Sequence, residues 1–82
     1  MNYKLVIIKN ENREESATRM QQMLTDFGCY IKVRLGLHDV PADICSPSGL
    51  LVLEVVAEEA KIQDLVDQLN GLSRVTAQMV II

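Results

Sequence analysis

The chain has 82 residues, one domain's worth, and a domain this short buries only a modest share of its surface, so its core is marginal unless another subunit adds to it. Apolar residues make up 49% and aromatic residues only 4%, the formal charge is −3, and the eight Lys and Arg are scattered without a basic run, a balance that weighs against direct binding of nucleic acid. No stretch reaches the ~18 apolar residues of a membrane-spanning helix, and the opening MNYKLVIIKN has neither the length nor the small-residue cleavage site of a signal peptide.

A cytoplasmic location is therefore expected, with Cys29 and Cys45 as reduced thiols. The aliphatic surplus, carried by Val, Ile, Leu, Met and Ala, points to burial against another subunit.

In chain order, Tyr3 to Lys9 (YKLVIIK) is β-branched and apolar on both parities, which suits a central strand buried on both faces. Asn12 is a good N-cap with Glu15 three residues on, an approximate capping box. Ala17, Met20, Met23, Leu24 and Phe27 follow at helical spacing, so a helix is predicted from about Arg13 to Phe27, with Gly28 as its stop. Ile31 to Leu37 alternates: Ile31, Val33, Leu35 and Leu37 point one way, Lys32, Arg34 and Gly36 the other, as in a half-buried edge strand. His38 to Gly49 (HDVPADICSPSG) is the one long irregular stretch. Leu50 to Ala57 is a second central-strand candidate with Glu54 as its single polar residue. Glu58 to Asn70 is a helix with Ile62, Leu65, Val66 and Leu69 on one face, closed by Asn70-Gly71, and Val75 to Ile82 is a last strand.

This order is β-α-β-β-α-β over residues 1–82, the split βαβ or ferredoxin-like pattern. It is an α+β domain with two helices on one face of a four-stranded antiparallel sheet and the first and third strands central. The other sheet face faces water or a partner. On the third strand Leu50, Val52, Glu54 and Val56 share a parity, and the lone charge assigns it to the open face. Lys32 and Arg34 are placed beside it, in reach of Glu54, together with Thr76, Gln78, Val80 and Ile82. On the first strand either Leu5 and Ile7 or Val6 and Ile8 face out. Several aliphatics are thus left where helices cannot cover them, and clusters of that kind mark interfaces. Val52, Glu54, Val80, Ile82 and Arg34 are the candidate oligomer contacts, with a two-fold pairing as the default.

Chemistry is sparse. His38 is the only histidine. No nucleophile elbow, Gly-rich phosphate loop or evident carboxylate pair accompanies it, so the chain is read as non-enzymatic. A loop histidine at a strand end is the plain reading of His38, and a ligand-contacting or pH-sensitive residue the functional one. Cys29, His38 and Cys45 match no tight thiolate–imidazole spacing and number only three; no metal site and no cofactor are expected, and Cys29 reads as a small buried residue after the helix stop. The turn Asn10-Glu11-Asn12-Arg13 lies at a helix N-terminus, where free N–H groups receive anions, although capping alone explains it as well. Asn10, Glu11, Asn12, Arg13 and His38 are the candidate ligand-binding residues.

The opening strand followed by Glu11-Asn12-Arg13, then Phe27-Gly28, Val33-Arg34-Leu35-Gly36-Leu37 and Gly71-Leu72-Ser73-Arg74-Val75 carry a resemblance to the ACT-like ferredoxin-fold domains. These are small regulatory modules that pair into dimers or higher oligomers. Within them the chain resembles the iron-only hydrogenase system regulators. The likeness spans nearly the whole chain; where the family's strand continues into a proline, this one continues into His38-Asp39. The effector domain of nickel-responsive repressors is also similar in fold, but it carries several histidines and a cysteine as ligands, a set this chain does not supply.

The reading is a regulatory or binding module that associates with itself as a dimer or tetramer and binds a small metabolite or a protein partner at a subunit boundary, with no nucleic acid or membrane as direct partner. The rivals are a small metal-handling or catalytic protein using the His38–Gly49 loop, and a purely structural oligomeric subunit.

Overall fold

A computed structural model describes residues 2–11, 13–38 and 49–82, with side chains throughout except at 13–15 and 38. The elements are β1 (Lys4–Asn10), α1 (Arg13–Asp26), a 3-10 turn (Gly28–Tyr30), β2 (Ile31–His38), β3 (Gly49–Val55), α2 (Glu59–Asn70) and β4 (Val75–Ile81). The strands form one antiparallel sheet in the order β2-β3-β1-β4, with the two strands richest in aliphatic runs in the middle. This is the ferredoxin-like, ACT-like βαββαβ fold. The expected cap at Asn12 and the loop at 39–48, with Cys45, lie outside the described residues; His38 and Gly49 themselves pair at the ends of β2 and β3.

The core sits between the sheet and the helices. Val6 and Ile8 of β1, Leu53 and Val55 of β3, and Val75 and Ala77 of β4 meet Met20 and Leu24 of α1 and Ile62, Leu65, Val66 and Leu69 of α2. The α2 residues recur at the three- and four-residue spacing that makes one helical stripe. Full burial of each large aliphatic contributes about 1.5–3 kcal/mol, and Ile8, Leu24, Leu53, Ile62, Leu69 and Val6 reach that limit. The Phe27 and Tyr30 rings meet at 5.1 Å between centroids, tilted by 44°. Lys61 donates to the Tyr30 hydroxyl at 2.7 Å, which ties the 3-10 turn to α2.

The helix ends differ from expectation. No described glycine takes a positive φ, so Gly28 and Gly71 end their helices without a left-handed residue; the left-handed position of the α2–β4 turn is Arg74, at φ 61°. Its carbonyl accepts the Glu11 N–H at 2.9 Å, joining the turns that follow β1 and precede β4. Cys29 is exposed rather than buried, because the 3-10 turn carries it away from the core.

At the outer edge of β4, Asn70 acts as a substitute strand. Its Nδ2 donates to the Ala77 carbonyl at 3.0 Å, and its Oδ1 accepts the Ala77 N–H at 2.7 Å. Both backbone groups would otherwise compete for solvent on a strand edge. Asn70→Ala is expected to lower stability by about 1–3 kcal/mol, read as the shift of the urea-unfolding midpoint; a midpoint equal to the wild type would show that water replaces the amide without loss.

Candidate functional site

Register places two surfaces back to back on the β2–β3 hairpin. On the helix-free face three cross-strand rows follow from the pairings: Leu37–Leu50–Lys9–Thr76, Leu35–Val52–Ile7–Gln78 and Val33–Glu54–Leu5–Val80. Eight of these twelve positions are aliphatic. The β1 ambiguity is resolved, since Val6 and Ile8 are buried under the helices and Leu5 and Ile7 face out. The parities expected for β3 and β4 hold.

The parity expected for β2 does not. Register shifts between Ile31 and Val33, the signature of a β-bulge, in which an extra residue rotates the strand. Ile31 pairs with Val55 and packs against the core, whereas Val33, Leu35 and Leu37 pair with Glu54, Val52 and Leu50 and lie on the open face, 49%, 51% and 45% exposed. Arg34, expected on the open face beside Glu54, pairs instead with Leu53 and belongs to the helix side. Lys32 does reach Glu54, at 3.7 Å.

The second surface is a cleft of about 370 Å³ on the helix side, between α1 and the hairpin, lined among others by Met20, Gln21, Asn10, Arg34, Gly36 and Leu51. The helices leave β2 uncovered here, and Gly36 keeps the floor low; among the described residues a Cβ added at Gly36 would meet only Leu51 Cδ1, at 3.9 Å. The lining is mainly apolar, with Arg34 as the one basic residue among those described. That composition, a greasy wall with a few polar groups, is what small-molecule sites share. Leu37 and Leu50 also line the cleft and belong to the open-face rows, so the two surfaces meet at the end of the hairpin.

Of the residues expected to bind a ligand, Asn10 is buried, accepts a hydrogen bond from Ser16 Oγ at 3.2 Å, and also borders the cleft. Glu11 is exposed and ion-paired with Lys9 at 3.3 Å, so these neighbours point to different places. Asn12 and the side chains of Arg13 and His38 lie outside the described residues; the His38 backbone is at the register position opposite Gly49. Of the expected oligomer contacts, Val52, Glu54 and Val80 share the open face, and Ile82 is exposed at its margin, bonded through its backbone to Tyr3. Sequence reasoning missed the cleft and the outward turn of Leu35 and Leu37. Among the described residues no group of three or more His, Cys, Asp or Glu side chains is placed to hold a metal ion, and no helix is long and apolar enough to cross a membrane.

The protein TM1266 of Thermotoga maritima aligns over 100% of this chain and 99% of its own, with a TM-score of 0.83 and 20% identity. A Thermus thermophilus protein described as PII-like and signaling aligns over 100% of this chain and 87% of its own, with a TM-score of 0.67 and 15% identity. The likeness is one of fold. No protein-family model matches the sequence, and no curated protein matches it.

Proposed function

We propose that the chain is a non-enzymatic regulatory module that works as a homo-oligomer and takes a small ligand or a protein partner at a subunit boundary. The observation that carries this reading is the aliphatic open face, eight outward positions on a sheet side that neither described helix covers. Contiguous apolar patches on a small domain serve interfaces. The cleft around Arg34 and Gly36 supplies the ligand position. Leu37 and Leu50 are common to cleft and face, so a ligand in one bears on association through the other. The fold shared with a PII-like signaling protein agrees with regulation rather than catalysis. The resemblance to iron-only hydrogenase system regulators supplies the system regulated, and a hydrogenase maturation cluster beside the gene would support it.

Thermal-shift screening against amino acids and other small metabolites tests the ligand half. At least one compound is expected to raise the melting temperature of the wild type. The effect should vanish in Gly36→Leu, which fills the cleft floor at a position any residue's backbone can adopt. If no compound moves the wild type, the purely structural subunit replaces this reading.

A further inference from the structure

We infer that the occupant of the open face is a second copy of this chain, seated face to face so that Lys9 of each subunit pairs with Glu54 of the other. The inference rests on the self-association proposed above and specifies its geometry.

Area comes first. Strands about 4.8 Å apart and about 3.3 Å per residue give a four-stranded, seven-residue face of roughly 19 by 23 Å in plan. Stable dimers cover about 800 Å² of accessible surface on each partner, so a partner has to engage the whole face and not the hairpin alone. It must therefore cover the β1 and β3 charges as well as the leucines.

Those charges are placed for self-recognition. Within the strands of this face the charged residues are Lys9, Lys32 and Glu54. Lys9 stands opposite Leu50 in the first row, and Glu54 opposite Leu5 in the third. The point midway between them falls between Ile7 and Val52, which pair with each other in the central row near the middle of the aliphatic patch. A two-fold axis through that point, parallel to the sheet and at right angles to the line from Lys9 to Glu54, exchanges the two positions. It runs obliquely across the strands. Each Lys9 then comes over the partner's Glu54, while Val52 and Ile7 lie close to the axis against their own copies. A two-fold interface requires this self-complementarity. It also accounts for a carboxylate amid aliphatics: Glu54 is 23% exposed by side chain and held by Lys32 alone among the described residues, at 3.7 Å. The Lys9–Glu11 pair is a solvent-exposed one, of the kind that contributes little, so turning Lys9 toward a partner costs little. Close charge pairs across an interface fix register and partner choice.

Charge exchange tests the geometry. Lys9→Glu sets a new carboxylate against the partner's Glu54, and Glu54→Lys sets a new ammonium group against the partner's Lys9. Sedimentation velocity should show each variant's self-association weakened at least tenfold with an unchanged circular-dichroism spectrum. An equimolar mixture should regain the wild-type association, because both repulsions become attractions in the heterodimer. Variants that associate like the wild type, or a mixture that recovers nothing, would overturn this geometry while leaving self-association intact; a monomeric wild type would overturn self-association itself. Should Glu54→Lys lose its fold, Lys9→Glu mixed with Glu54→Gln decides: association stronger than that of either variant alone supports the pairing, and association no stronger than that of Glu54→Gln alone overturns it.

Discussion

Leu65→Asp is expected to abolish folding. Leu65 is buried at the centre of the α2 stripe, between Ile62, Val66 and Leu69, and belongs to the same core cluster as Val6, Ile8 and Leu53. Replacing it removes about 1.5–3 kcal/mol of burial and adds a carboxylate that has no partner there, at a cost of several kcal/mol more. A chain of 82 residues has a total stability of roughly 4–12 kcal/mol at typical per-residue values, so the loss is comparable with the whole. The circular-dichroism spectrum of the variant should be that of an unfolded chain. Leu65→Ala, which creates only a cavity, should remain folded with about 2–5 kcal/mol lost. A Leu65→Asp protein that melts like the wild type would show that α2 buries a different face.

Val52→Lys is the complementary experiment, with a large effect on association and little on the fold. Val52 lies in the middle row of the open face, between Leu35 and Ile7, where a lysine in a free subunit points into water. In a two-fold pair the substitution buries two ammonium groups without partners. An unpaired buried charge costs about 3–5 kcal/mol, so the dissociation constant should rise by about 100-fold or more, as measured by sedimentation velocity. Leu35→Lys and Val80→Lys should act in the same direction. Loss of helical and strand signal in all three would mean that the open face is core.

The architecture was legible because periodicity and punctuation agreed: Ile62, Leu65, Val66 and Leu69 can share a face only on a helix, and the doubly apolar runs around Ile7 and Leu53 can be satisfied only in the middle of a sheet. Glu54 likewise marked the open parity of β3, since an unpaired carboxylate would not survive among the core residues. β2 was misread for a physical reason. Ile31, Val33, Leu35 and Leu37 alternate without interruption, and the bulge at Lys32 that separates Ile31 from the rest leaves no mark in an alternating pattern. The cleft went unseen with it, because its floor and its cation, Gly36 and Arg34, are the residues the misread parity placed on the far side. The left-handed Arg74 and the Asn70–Ala77 clasp depend on how α2 docks onto β4, which local sequence does not encode. Asn10, read as part of a polar turn, instead closes β1 and is buried against Ser16, a burial that its polar neighbours in sequence do not announce.

Coverage of the helix-free face by another copy of this chain makes self-association of the wild type the deciding property. Sedimentation equilibrium of the wild-type protein at tens of micromolar tests it most directly. The expected mass is at least twice the 9.2 kDa of one chain, reduced toward the monomer value by Val52→Lys; a wild type that sediments at 9.2 kDa across that concentration range would show that no second copy covers the face.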